Sequence, residues 1–327
     1  MHADNKIMIL GGAGYVGTTL APFLHSCGYD ITVVDIGWFG NSLPKEIHYI
    51  QSDIFDLKKS DVKDFHTIIF LAGLSNDPMA EFSPKDNFIY NTGLPAYIGY
   101  IAKEAGVKRM IFASSCSVYG FTYNRTFSED DIAISNYPYG VSKLQGEKSL
   151  LALADEDFSV ICLRQGTISG YSPRMRLDLA INTMFKNAYS NHEIKLSNNK
   201  IWRPILGLKD LCNAYKLAVE SDITFGEVIN IMSFNTTIGE LAKSVEEFMF
   251  DKYGFTINTS DLHVEDYRNY KVSIEKAEEL LNYKPEQDCF SIINDLNDNL
   301  ALFNNFADEK YYNIEVFKKL MINSITV

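Results

Sequence analysis

The feature that most constrains this chain is a glycine-dense turn, Gly11-Gly12-Ala13-Gly14-Tyr15-Val16-Gly17, set between an apolar run and a helical pattern. The run Lys6–Leu10 reads as a strand, and a helix follows near Tyr15–His25. Such a turn bends the backbone sharply and bares amides at a helix N-terminus, where phosphate oxygens fit. A lone glycine triplet is a weak signal. Here a strand precedes it, a helix follows, and Asp35 ends a second strand, Ile31–Asp35, 18 residues past Gly17.

Strands and helices continue to alternate. Ile47–Gln51, Thr67–Leu71, Arg109–Ala113 and Ser159–Leu163 read as strands, with helices at Ala96–Ala105 and Tyr139–Ala154. This alternation predicts an α/β fold: a Rossmann-type, doubly wound parallel sheet with helices on both faces. The second half is less regular. Leu177–Tyr189, Lys209–Glu220, Ile238–Lys252 and Ile274–Leu281 read as helices, and Val228–Ile231 as a strand. Asn294–Asn305 is rich in Asn and Asp, yet it keeps apolar residues at helical spacing and is not read as disordered. No Pro/Gly/Ser linker divides the chain, so two interleaved lobes are expected. The division is a dinucleotide-binding domain of residues 1–164 plus about 205–232, and a smaller substrate lobe of about 165–204 and 233–327.

Composition narrows the ligand. The 327 residues carry 30 basic and 42 acidic side chains, a formal charge of -12. That balance argues against a nucleic-acid binder, while a small anionic ligand needs only a local basic pocket. The five cysteines are scattered without CxxC spacing, so reduced thiols are expected, and no zinc-type cluster is visible. No secretory signal pattern and no run of roughly 18 apolar residues is present, so no membrane span is expected and the location is read as cytoplasmic.

Gly11, Gly14, Tyr15, Val16 and Gly17 would hold the pyrophosphate of a dinucleotide, and Asp35 would accept the ribose hydroxyls of NAD. Asp35 would repel the extra phosphate of NADP, and Ile36 and Gly37 offer no adjacent cation. Asp53-Ile54 follows the third strand, where the carboxylate either meets the adenine amine or sits in a surface turn. Leu71-Ala72-Gly73 closes the fourth strand with small residues over which a cofactor could lie.

Tyr139-Gly140-Val141-Ser142-Lys143 places a phenol and an ammonium one helical turn apart. A nearby ammonium and the positive nicotinamide ring both favour phenolate, which can take a proton from a sugar hydroxyl while hydride leaves the same carbon. A second copy, Tyr267-Arg268-Asn269-Tyr270-Lys271, lacks the context of the first and is read as non-catalytic. Only Tyr139 follows the fifth strand and the segment Ser114-Ser115-Cys116-Ser117-Val118-Tyr119-Gly120, whose Ser115 can hydrogen-bond both the phenol and a substrate oxygen.

The glycine turn, Asp35, the Ser-rich segment and the Tyr139/Lys143 pair together resemble the extended short-chain dehydrogenase/reductase family, closest to its NAD-dependent nucleotide-sugar epimerase/dehydratase group. The resemblance implies that Ser115, Tyr139 and Lys143 are catalytic, with Lys143 also holding the nicotinamide ribose. It further implies tightly held NAD, a nucleotide-sugar substrate and a homodimer built on two long helices. Sugar 4,6-dehydratases carry Asp-Glu after the catalytic hydroxyl. Here those positions are Cys116 and Ser117, which disfavours dehydration. A cysteine marks the GDP-fucose synthase type, but aligned through the following Tyr it falls on Ser117, so Cys116 is read as a packed thiol.

What remains is hydride chemistry at one sugar carbon, C4 by expectation. A 4-epimerase comes first, with a 4-dehydrogenase or 4-keto-reductase as the alternative. Non-catalytic NAD-binding regulators on this fold usually lack the Tyr-Lys pair. On the substrate side, Arg203 in Trp202-Arg203-Pro204 and Arg268 in Asp266-Tyr267-Arg268 resemble the family's diphosphate-gripping arginines, or form surface ion pairs. Asn182 sits where the family places a diphosphate-contacting amide. Thr167 replaces an Asn of many epimerases. Ser172–Leu179 resembles a subgroup with heptose and deoxysugar dehydrogenases, and its Arg174 and Arg176 either touch ligand or cap the next helix.

Overall fold

The computed structural model describes residues 5–122, 125–263 and 268–325, with side chains to residue 321. Seven strands form the central sheet: β1 (Lys6–Leu10), β2 (Asp30–Asp35), β3 (His48–Gln51), β4 (Thr67–Phe70), β5 (Arg109–Ser115), β6 (Ser159–Gln165) and β7 (Gly226–Ile231). Their order is β3-β2-β1-β4-β5-β6-β7, and every pairing is parallel. The order reverses between β1 and β4. In such a sheet the crevice beyond the carboxyl ends of these strands is where ligands lie.

The strands are apolar on both faces because both are covered. Ile7, Ile9, Ile31, Val33, Ile69, Ile111 and Ile161 face α1 (Gly17–Ser26) and a later helix whose Leu211, Ala214 and Tyr215 join the same core. Met8, Leu10, Val34, Ile68, Phe70, Phe112 and Cys162 point the other way, toward α2 (Leu94–Ala105) and α3 (Pro138–Leu151). Successive residues alternate between the faces, as strand geometry requires.

A separate core gathers the later elements. Ile181, Phe185 and Ala188 of α4 (Ala180–Asn191) pack with Leu241, Val245 and Met249 of α6 (Ile238–Tyr253) and Ile292, Ile293 and Leu296 of α7 (Cys289–Asp298). Thr237 and Glu240 form a capping box at the start of α6, and Asp288 with Ser291 does the same for α7. Between these helices, α5 (Leu208–Glu220) returns to the central sheet. Arg109, only 8% exposed, donates to the carbonyls of Ala218, Val219, Ser221 and Ile223, satisfying the C-terminal end of α5.

Two departures from expectation matter for the site. The helix expected from Leu177 begins at Ala180. Arg176 clasps Asp178 through two hydrogen bonds of 2.9 Å. Residues two apart do not face each other on a helix, so this clasp holds the chain extended. A C-terminal helix, α8 (Asn313–Ile325), was not anticipated. Its Phe317 is fully buried in a small cluster with Leu74 and Met79, flanked by Trp38 and Tyr90. Among the described residues no helix is long and apolar enough to cross a membrane.

Candidate active site

Gly11 leaves β1 with a φ of 80°, and a Cβ there would sit 2.5 Å from the Ala72 amide nitrogen. A Cβ on Gly17 would lie 2.3 Å from the Gly12 carbonyl oxygen. Glycine is therefore required at both points, for the turn and for the close approach of α1. The first turn of α1 carries no acidic residue and no side-chain cap, so its positive end is left for an anion.

Asp35 ends β2 with its carboxylate already placed. One oxygen accepts from the Ala13 amide at 3.0 Å and the other from the Gly37 amide at 2.8 Å. Burial pushes its pKa upward, opposed by these two amides and by the charge of Arg174. Ile36 and Gly37 bring no cation, as read from the sequence, and the charge that reaches Asp35 is that of Arg174. Arg174 comes from 139 positions along the chain, a distance that local inspection of Ile36 and Gly37 could not span.

One cavity of about 400 Å³ lies at the carboxyl ends of the strands. It is lined by Gly11, Gly14, Tyr15, Val16, Asp35, Asp53, Ile54, Leu71, Ala72 and Gly73 of the expected cofactor set, and by Ser115, Tyr139, Lys143, Thr167, Arg203 and Arg268. Gly17 does not line it, being pressed against Gly12. Asn182 does not line it either, and this corrects the expected ligand contact. Its amide is fully buried, accepts from the Gly170 amide at 3.0 Å, and donates to the Tyr15 hydroxyl and the Arg176 carbonyl. Asp53 does two things at once: it lines the cavity and accepts from the Phe55 amide, capping a short helical turn at Ile54–Asp56.

The Tyr139 phenol and Ser115 line the same cavity, and the Ser115 side chain favours the phenolate. Ser115 Oγ accepts from the Ser117 amide and hydroxyl. Burial first, then the charge of Asp77, pushes the Tyr139 pKa up to about 12, while Ser115 and Arg176 pull it down. Lys143 does not hydrogen-bond the phenol. Its Nζ donates to the Ala113 carbonyl at 2.9 Å and stands 5.9 Å from the Tyr139 ring centroid. Burial lowers its pKa to about 8, opposed by Glu147. Glu147 in turn is buried in an ion pair with Arg164 and a hydrogen bond from Ser114.

Cys116 is the packed thiol expected: fully buried, donating to the Arg164 carbonyl, with burial pushing its pKa up. Of the second Tyr-Lys copy, Tyr267 and the neighbouring Asp266 lie outside the described residues, while Lys271 pairs as a strand with Thr126. Arg203 donates to the Trp202 carbonyl at 3.0 Å, and Arg268 is paired with Asp77 at 3.1 Å.

Sequence reading left Arg174 as an open choice between ligand and helix cap, and missed Asp77, which lines the cavity, and Asn91, buried next to the lining Tyr90. Asp77 starts a short helix, Asp77–Phe82, capped by Asn76. Arg174 is 5% exposed, lies over the Phe39 ring at 3.7 Å, and donates to Asn313 of α8. Its buried Nε has no hydrogen-bond partner. Asn91 sits in a π-helical turn, Ile89–Gly93, a distortion that often marks a functional position. Its amide nitrogen bridges Leu74, Asn87 and Ser142, and its buried oxygen is unpartnered. Only that π turn changes local pattern, and no local rule announces it.

Fold and cavity together define a dinucleotide-binding α/β protein with a Ser-Tyr-Lys centre at the sheet's carboxyl edge. The family model described as NAD dependent epimerase/dehydratase matches residues 7–231, and the chain belongs to that family. It is 27% identical to the UDP-glucose 4-epimerase of Bacillus subtilis over 186 residues, 52% of this chain and 55% of that protein. The match thus spans about half the length of that relative. A longer match, 23% identical over 311 residues, covers 89% of this chain and 94% of the UDP-glucose 4-epimerase of Corynebacterium glutamicum. Among solved structures, UDP-glucuronic acid 4-epimerase from Bacillus cereus, in complex with UDP-glucuronic acid and NAD, aligns with a TM-score of 0.80. That pair is 22% identical over 90% of this chain and 99% of the other. The UDP-glucose 4-epimerase of Thermotoga maritima, with UDP-glucose, aligns at 0.78 and 21% identity, covering 97% and 99%. These structures share the fold.

Proposed function

We propose that this protein is an NAD-dependent nucleotide-sugar epimerase acting at one sugar carbon, C4. The observation that carries the reading is the convergence of Ser115, Tyr139 and Lys143 on the cavity that also holds the glycine turn and Asp35. Bound NAD, held by the glycine turn and Asp35, would supply the hydride-transfer chemistry. The cavity fits that cofactor: it offers an uncapped helix N-terminus, a prepositioned carboxylate, and a buried Arg174 Nε with no partner of its own.

Tyr139 takes the proton from the sugar hydroxyl and later gives one back, with Ser115 hydrogen-bonded to both the phenol and the sugar oxygen. With the Tyr139 pKa near 12, phenolate is scarce in the empty site. Lys143 and the positive charge of the oxidised nicotinamide lower that barrier when the site is filled. Arg203 and Arg268 take the diphosphate, for which planar guanidinium groups are suited, and Thr167 borders the sugar. We assign residues 1–164 with about 205–232 to cofactor binding, and about 165–204 with 233–327 to the sugar nucleotide. The same reading includes a cytoplasmic place in carbohydrate biosynthesis. It also includes a homodimer formed through long helices such as α2, whose Tyr100 is exposed.

The test uses protein purified without added cofactor. After denaturation, the released nucleotide is identified. Fresh protein then meets a panel of UDP-, GDP-, CDP- and dTDP-sugars while absorbance at 340 nm and product stereochemistry are followed. Released NAD, a new epimer and flat absorbance are expected. A lasting absorbance change with a keto-sugar product would establish the net dehydrogenase or keto-reductase instead.

A further inference from the structure

Asp35, Asp53, Asp77 and Asp178 all line the cavity. Asp35 and Asp53 are engaged by backbone amides, and Asp178 by Arg176. Asp77 differs. Its Oδ2 pairs with Arg268, but its Oδ1 is buried without any hydrogen-bond partner. A buried carboxylate oxygen left unsatisfied is costly, so its natural complement is a donor arriving with a ligand.

The position of this oxygen is set by its surroundings. Asn76 caps the helix that Asp77 begins, accepting from the Met79 amide at 3.1 Å, and donates to Asp178 at 3.3 Å. Pro78 follows in the first turn and stiffens it. Arg268, on the other oxygen, lies 5.7 Å over the ring of Tyr137, which immediately precedes α3 and Tyr139. Asp77 therefore belongs to the Tyr139 end of the cavity, where the sugar would react, and its charge is felt by the phenol.

We propose that Asp77 determines sugar specificity. Its open oxygen accepts a hydrogen bond from a hydroxyl or amino group of the sugar, and its charge rejects sugars that carry a carboxylate. The inference rests on the reading of the cavity as a nucleotide-sugar site. Arg176 is held by Asp178, and Arg268 is shared between Asp77 Oδ2 and the diphosphate, so a sugar carboxylate reaching this corner meets the open Oδ1 of Asp77. Like charges brought together away from water oppose binding strongly.

The experiment is calorimetric titration of the purified protein with two pairs of ligands: UDP-glucose against UDP-glucuronic acid, and GDP-mannose against GDP-mannuronic acid. In the pair whose base the site accepts, the neutral member should bind at least about tenfold more tightly. Asp77→Asn should close most of that gap, chiefly by improved binding of the acidic member, and Asp77→Glu should keep it. Equal affinities in the wild type, or an unchanged gap in Asp77→Asn, would overturn the proposal. The wild-type ratio tests it even where a variant fails to fold. Tight binding of a neutral sugar nucleotide without turnover would sink the epimerase reading alone. Failure of all four ligands to bind would overturn this proposal, while the epimerase reading would stand or fall on the CDP- and dTDP-sugars of the wider panel.

Discussion

The glycine turn Gly11–Gly17 and the segment Ser172–Asp178 face the same cavity, yet they are built by different means. The turn draws on its own neighbours: β1 before it, α1 behind it, and Asp35 from the adjacent strand holding the Ala13 amide. The later segment draws on distant partners. Ser172 bonds Thr18 and the Tyr15 carbonyl, Arg174 reaches Asn313, and Arg176 leans on Ser75. The glycine turn is thus encoded locally, whereas Ser172, Arg174 and Arg176 are placed by contacts across more than a hundred residues. Substitutions in the two regions should fail in different ways.

The largest effect should come from the core that supports the catalytic helix. Glu147→Ala leaves Arg164 as an uncompensated charge, with side chains only 1% and 6% exposed. A loss of about 3–5 kcal/mol is expected, measured by denaturant unfolding. A loss under about 1 kcal/mol would mean that water reaches the pair. Tyr139→Phe should instead leave stability and NAD retention intact while lowering turnover at least about a hundredfold. Full activity in that variant would remove the phenol from the mechanism.

Asp35→Ala should weaken NAD binding by roughly tenfold to a hundredfold, the cost of two lost hydrogen bonds. Preference over NADP should relax as well, since Arg174 stays nearby. Fluorescence titration with both nucleotides checks this, and unchanged NAD affinity would contradict the placement of the carboxylate. The smallest effect sharpens the contrast most. Asn182→Ala should cost about 1–3 kcal/mol of stability with KM for the sugar nucleotide little changed. A raised KM at unaltered stability would return Asn182 to the ligand contacts and blur the line between the regions.

The chain alone determined the strand–helix alternation of its first half, the parallel sheet, the glycine turn, Asp35 and the Ser115–Tyr139–Lys143 grouping. The sheet, the turn and the Tyr139–Lys143 pair follow from short-range pattern: a period of two or 3.6, a turn that only glycine can make, or two side chains one helical turn apart; Ser115 joins them as what the family resemblance implies. Tertiary structure decided the rest. Arg174 over Phe39, Asn182 against Tyr15, Asp77 against Arg268 and α8 near Trp38 are meetings of residues far apart in sequence. No local propensity records them. A side chain's partner across the fold is chosen by packing and by the need to satisfy buried polar groups, and both arise only once the chain has closed on itself.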